Sequence, residues 1–116
     1  YAALPECGAI YHVHEMYASL CSRRDAQSGV TRFSNLEMIK GLDIWDRQSV
    51  EIPFVTNYAD IPTLAAAIQK AMDPSIPAVM VQGHGFYAWG TGPAEAKRHV
   101  ESLAYLYRHS WEESRG

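Results

Sequence analysis

The chain has 116 residues, 47% of them hydrophobic, which is enough for one small packed domain and too apolar for a disordered tail. Ten basic and 13 acidic residues are spread along it for a formal charge of -3, which excludes the long-range positive field that nucleic acid or an acidic lipid surface would need. Two cysteines, Cys7 and Cys21, form no CxxC unit, no apolar run approaches the roughly 18 residues of a membrane span, and no signal peptide is visible, so the sequence predicts a cytoplasmic protein with a small-molecule partner.

The opening "YAALPEC" reads as the end of a helix entering a turn, which predicts that the true N-terminus of the protein lies elsewhere. "AIYHVH" alternates like a short strand, and "EMYASLCSRR" switches to helical spacing before the loop "DAQSGVT". "SNLEMIKGL" carries Ser34 at an N-cap position, Glu37 three residues later and Gly41 near its end, the start and stop signals of a short helix. "SVEIPFVTN" is strand-like, with Pro53 predicting an edge or a bend. "DIPTLAAAIQKAMDP" is a helix opened by Asp60 and Pro62. "PAVMVQ" is an apolar strand running into "GHG", and "FYAW" leaves as the next strand. The last helix follows "GTGP", with Val100, Leu103, Ala104, Tyr107 and Trp111 on one stripe. Strands and helices mix throughout, which predicts a layered α/β domain.

Two histidines stand out at the first strand-to-helix junction. Residues i and i+2 of a strand share a face about 6.6 Å apart, so His12 and His14 can converge on one ion; they can equally be two polar side chains bonded to backbone. His84 lies between Gly83 and Gly85, glycines that permit positive φ and close backbone approach. It is either a solvated residue at a hairpin tip or a side chain that the turn presents inward. Three neutral imidazoles would leave an open position on Zn²⁺, the arrangement of a catalytic site. His99 and His109 fall off the apolar stripe of the last helix and are predicted at the surface.

Glu37 has two readings as well. It closes a capping box with Ser34, or it is an acid/base group whose pKa is raised by partial burial among Leu36, Met38 and Ile39. Tyr87 and Trp89 line a pocket or fill the core. No GxGxxG, Walker or GxSxG pattern occurs, and neither cysteine has a neighbouring base that would mark a nucleophile.

"HVH", "NLEMIKGL", "VQGHGFYAWG" and "EAKRHVESLAYL", in this order, resemble the class II aldolase/adducin family, and within it the methylthioribulose-1-phosphate dehydratases of methionine salvage. The similarity runs from about Gly8 to Trp111 and corresponds to the C-terminal half of the family's domain, so residues 1–116 are expected to be the C-terminal portion of a single class II aldolase/adducin-like domain. The resemblance implies a three-layer α/β/α fold with a central mixed, largely antiparallel sheet that lacks its N-terminal part here. It further implies Zn²⁺ held by His12, His14 and His84, Glu37 as the catalytic acid/base, a phosphorylated ketose as substrate, and a homo-oligomer, a tetramer, with sites near subunit boundaries; the aromatics Tyr105 and Trp111, read as exposed, are candidates to join such a contact.

Sugar aldolases of the same fold carry their acidic residue upstream of HxH, so a glutamate in "LEMIKG" points to dehydration. A sugar-phosphate aldolase or epimerase and a non-catalytic adducin-like interaction domain are the alternatives. The chain departs from the family pattern at Glu15, where a serine or small residue is usual after HxH, and at Gln82, where an arginine is common. The phosphate-binding segment expected upstream has no counterpart in these residues.

Overall fold

A computed structural model describes residues 7–115, so all of "YAALPEC" except Cys7 falls outside the described residues. Five strands form one sheet in the order β1-β5-β4-β3-β2: β1 (Ala9–Val13), β2 (Val30–Ser34), β3 (Ser49–Val55), β4 (Ala78–Val81) and β5 (Gly85–Gly90). Only β3 and β4 pair in parallel; the other neighbours are antiparallel. The parallel pair requires a crossover, and the helix α2 (Ile61–Ala71) supplies it. The expected mixed, largely antiparallel sheet is therefore present.

Helices α1 (Met16–Arg24) and α3 (Pro93–Arg115) pack together on one face of the sheet. Ala78, Met80, Phe86 and Ala88 meet Leu103, Leu106 and Tyr107 there in the main core. Period-two alternation sends Val79 and Val81 to the opposite face, where α2 packs along β3 and buries Leu64. Asp60 caps α2, its carboxylate accepting from the Thr63 backbone N–H at 3.0 Å, as the sequence signal indicated. Among the described residues no helix is long and apolar enough to cross a membrane.

The structure corrects four local expectations. Residues Val30 and Thr31 belong to β2 rather than to a loop, and Ser34 ends that strand instead of capping a helix. Glu37–Leu42 forms a 3₁₀ segment with no side-chain cap, and Gly41 lies inside it, where a Cβ would stand 2.2 Å from Ser102 Oγ. Close packing against α3, not a helix stop, explains that glycine. Asp43 takes the left-handed terminal position instead, at φ 61°.

Pro53, third, lies in an interior strand. The N–H of Phe54 points to β2 and donates to Gly29 O at 3.0 Å, so the nitrogen of Pro53 faces the β4 side, where the ladder starts only at Phe54. No ladder donor is lost, which is why proline is tolerated there.

His99 is the fourth correction. It is 3% exposed, on the face that α3 turns to the sheet. Its Nδ1 lies 2.6 Å from Trp89 O and its Nε2 2.8 Å from Asp43 Oδ2, while Arg98 reaches the same carboxylate oxygen at 2.5 Å. A histidine spaced off an apolar stripe was free to be buried because two acceptors await it. Burial alone would push the Asp43 carboxyl up, but the hydrogen bond from His99 and the charge of Arg98 outweigh it and hold that carboxyl below the usual range. His109 is half-buried with its ring stacked against Tyr105, and Trp111 is half-buried against the core.

Replacing His99 by alanine strands the Trp89 carbonyl and leaves the Asp43 carboxylate with Arg98 alone. His99→Ala is expected to lower the unfolding free energy by about 2–3 kcal/mol, and His109→Ala by under about 1 kcal/mol. Urea midpoints of the two variants check this; equal midpoints would contradict the assigned role.

Candidate metal centre

The β1/β5 register sets His12 opposite Tyr87 and Val13 opposite Phe86, so the end of β1 lies beside the start of β5. His14 stands one residue past β1, before α1 begins. The turn from β4 delivers His84 to the same place. That turn is closed by His84 N–H donating to Val81 O at 3.0 Å, with Gly83 at φ 68°, a conformation that favours glycine. Gly85 adopts no unusual φ but passes so near β1 that a Cβ would stand 2.2 Å from Val13 O. The two glycines thus serve the two purposes the sequence suggested, one each.

Ser22 of α1 anchors the turn. Its hydroxyl is buried, accepts from Gly83 N–H at 3.0 Å and donates to Ser19 O at 2.8 Å. Gln82 fixes the turn twice, through its N–H to Val55 O at 2.9 Å and its side-chain amide to Ser22 O at 3.3 Å.

The three imidazoles meet through Nε2. The separations are 3.0 Å between His12 and His14, 3.1 Å between His14 and His84, and 3.3 Å between His12 and His84. Three ring nitrogens aimed at one another cannot all be satisfied by shared protons, since an unprotonated Nε2 offers only a lone pair. Such a set is shaped for a cation. Tetrahedral ligands with metal–nitrogen distances of about 2.0–2.1 Å stand about 3.3–3.4 Å apart, close to the observed spacing, so the residues fit zinc-like coordination. Burial first, and then the charges of His14 and His84, lower the pKa of His12 against the opposing pull of a backbone hydrogen bond with Phe86. The form that carries a lone pair therefore persists further into acid. Tyr87 stacks on His12 at a centroid distance of 4.3 Å, and Asn57 Oδ1 lies 3.3 Å from His84 Nδ1.

Glu15 does not join the histidines. It is the N-cap of α1, accepting from the backbone N–H groups of Tyr17 and Ala18, and burial raises its pKa against those two hydrogen bonds. Tyr87 stands at the histidine cluster, stacked on His12, while Trp89 is mostly buried and lines the cleft at the far end of the sheet. Ser22 and Asn57 carry no sequence signal of a site; only the register of the strands reveals them.

Glu37 is not beside the histidines within one chain. β3 runs toward His84, and β2 returns antiparallel from Val30 opposite Pro53 to Ser34 opposite Ser49. The 3₁₀ segment follows Ser34, so it starts at the far end of the sheet, about 20 Å away along six strand residues. The side chain of Glu37 is 85% exposed and ion-paired with Lys40 at 2.8 Å, which overturns the expected partial burial. Met38, within this segment, and Trp45, three residues past its end and 71% exposed, are large hydrophobics left at the surface.

A second group of possible ligands, Asp43, Glu95 and His99, lies at that far end on a cleft of 690 Å³ that none of the three clustered histidines lines. There His99 and Asp43 are already paired with each other, with Trp89 O and with Arg98, and Glu95 accepts from Thr91 N–H. These are structural bonds. The convergent lone pairs lie at the other end of the sheet, away from this cleft.

Residues 1–111 match the family model described as the Class II Aldolase and Adducin N-terminal domain. The chain belongs to that family. Among curated relatives, it is 39% identical over 103 residues to a methylthioribulose-1-phosphate dehydratase of Sulfurihydrogenibium sp. (strain YO3AOP1), covering 88% of this chain and 48% of the relative. It is 41% identical over 102 residues to the protein of the same name from Geobacillus kaustophilus (strain HTA426), covering 87% and 49%. The chain thus spans about half the length of the curated relatives it matches. Solved structures agree on the fold: YgbL of Escherichia coli superposes with a TM-score of 0.70 at 20% identity over 93% of this chain and 50% of that one. The l-fuculose-1-phosphate aldolase of Thermus thermophilus gives 0.62 at 18% identity over 96% and 58%.

Because a Cβ at Gly85 would also stand 3.0 Å from His14 Cδ2, Gly85→Ala must displace either β1 or His14. It is expected to weaken zinc binding at least tenfold and to lower the melting temperature by several degrees, whereas Gly92→Ala, which meets open space, changes neither. Metal titration and thermal unfolding of both variants give the comparison.

Proposed function

We propose that this chain is the C-terminal portion of a single class II aldolase/adducin-like domain in a cytoplasmic zinc-dependent dehydratase that acts on methylthioribulose 1-phosphate in methionine salvage. The observation that carries the proposal is the convergence of His12, His14 and His84 through Nε2 within 3.0–3.3 Å, joined to the shared sequence with relatives named for that activity.

Bound there, zinc would supply Lewis acidity toward vicinal oxygens of a ketose and so acidify the neighbouring C–H. The histidines orient that position and leave it open on one side. Glu37 is assigned the proton traffic: its carboxylate takes the C3 proton and returns it as the C4 hydroxyl leaves as water, giving an enol that tautomerises to the 2,3-diketone. One carboxyl can serve both steps because it ends each cycle ionised.

In one chain the carboxylate of Glu37 and the histidines occupy opposite ends of the sheet. A homo-oligomer, a tetramer, reconciles the two roles by setting Glu37 of one copy against the histidines of another. Supporting this is the surface beside Glu37, where Trp45 and Met38 are exposed and Lys40 lies over the Trp45 ring at 6.0 Å. Covering such a surface would take Glu37 out of bulk water and set its carboxylate beside the neighbouring copy's histidines.

In the full-length protein, alanine at His12, His14 or His84 is expected to reduce zinc content sharply, since each supplies one of three protein ligands. Zinc stoichiometry unchanged in all three variants would remove the site.

Glu37→Gln is expected to abolish dehydration with zinc still bound and melting temperature little changed. Mixing that variant with His84→Ala subunits should restore part of the turnover, because some sites then combine an intact histidine set with an intact Glu37 of a neighbour. Near-normal turnover of Glu37→Gln alone would defeat the catalytic assignment, and failure of the mixture to recover any would confine both groups to one chain.

A further inference from the structure

We infer that Asn57 is a positioning residue for His84, fixing the imidazole tautomer that turns an Nε2 lone pair toward the other two histidines; the inference rests on the metal reading above. The parallel β3–β4 ladder puts the two residues together. Val55 pairs with Val81, and the Gln82 N–H donates to Val55 O at 2.9 Å. Asn57 stands two residues beyond Val55 and His84 three beyond Val81, so both leave the ladder at the same end of the sheet.

Asn57 Oδ1 then lies 3.3 Å from His84 Nδ1. An amide oxygen can only accept, so the hydrogen of a neutral His84 is held on Nδ1, which leaves Nε2 without one. That Nε2 is the atom standing 3.1 Å from the Nε2 of His14 and 3.3 Å from that of His12. Without an acceptor at Nδ1 the proton is free to move to Nε2, where it would occupy the lone pair a cation needs.

The backbone of the turn and the ring of His84 are governed separately. Ser22 and Gln82 hold the turn through the Gly83 N–H, the Ser22 carbonyl and the Val55 carbonyl, and none of these contacts reaches the imidazole. Among the described residues, Asn57 makes the one hydrogen bond to Nδ1 of His84. His12 is held by other partners, a backbone hydrogen bond with Phe86 and the stacked ring of Tyr87. Removing the amide of Asn57 should therefore alter the tautomer and the metal affinity while the turn stays folded.

The test compares wild type, Asn57→Ala and Asn57→Asp in the full-length protein. Zinc affinity is measured by chelator competition, and the His84 tautomer of the metal-free protein by long-range ¹H–¹⁵N NMR of the histidine rings. Expected are an Nδ1–H tautomer in wild type, its loss in Asn57→Ala with zinc bound about 10–100-fold more weakly, and recovery of both in Asn57→Asp, whose carboxylate accepts the same hydrogen. Wild-type affinity and an unchanged tautomer in Asn57→Ala would overturn the inference and leave the metal reading standing. Asn57→Asp as weak as Asn57→Ala would also overturn it, by showing that the loss is one of packing. If wild type itself binds no zinc, the metal reading fails first and takes the inference with it.

Discussion

The backbone of Gly85 runs so close to β1 that a single methyl group would collide with the carbonyl of Val13. That approach is what lets two separate parts of the chain place imidazoles at one point. β1 brings His12 and His14 in with its own alternation, and the β4–β5 turn brings His84 across only if the strands lie this near at their shared end. The positive φ of Gly83 aims the turn, and the buried hydroxyl of Ser22 keeps it aimed by accepting the Gly83 N–H. Each of these contacts is short-ranged and steric or directional, so the site is preorganised by backbone geometry before any ligand arrives. The cost of two glycines at a strand end is offset by what they position.

The sheet divides its labour between its two ends. At the His84 end, lone pairs are gathered and left free. At the other end, Asp43, Arg98, His99 and the Trp89 carbonyl consume one another's hydrogen bonds and tie the 3₁₀ segment to α3 and β5. Both ends hold histidine and would look alike in composition. What distinguishes them is satisfaction: His99 has acceptors for both ring nitrogens, whereas His12, His14 and His84 point theirs at each other. Buried polar groups that are fully bonded stabilise a fold, whereas solvent-accessible imidazoles with convergent lone pairs call for a ligand.

Much of this was legible in the residues. The alternation of "AIYHVH", the capped helix after Asp60 and the apolar strand before "GHG" each follow a local rule, and the structure follows them. The failures share a cause. Ser34, Glu37 and Gly41 satisfy the spacing of a capped helix, yet "TRFS" pairs with β3 as an edge strand, and that non-local ladder carries Ser34 away from any cap. His99 was misplaced because helical periodicity counts apolar residues, and a histidine with two waiting acceptors is buried as readily as a leucine. Pro53 misled in the same way, since an edge strand is only one of the places where its nitrogen faces no acceptor. Asn57 and Ser22 were invisible because their importance lies wholly in the parallel register of β3 on β4 and in the docking of α1, neither of which leaves a trace in spacing.

Glu15 shows how a departure from a family pattern can be reconciled by geometry. The residue after HxH opens α1, and the position must supply an acceptor for the orphan N–H groups of the first turn. A serine meets that need with a hydroxyl; Glu15 meets it with a carboxylate that accepts from Tyr17 and Ala18 and sits favourably at the positive end of the helix dipole. Its charge is thereby spent on the helix. The same reasoning applies to Gln82, whose amide holds Ser22 O and so stiffens the turn instead of lending a positive charge to it. Both departures leave the histidine triangle intact. The triangle of imidazoles is thus set by β1 and by the β4–β5 turn, and the two unusual residues beside it work on the helix and on the turn that hold it in place.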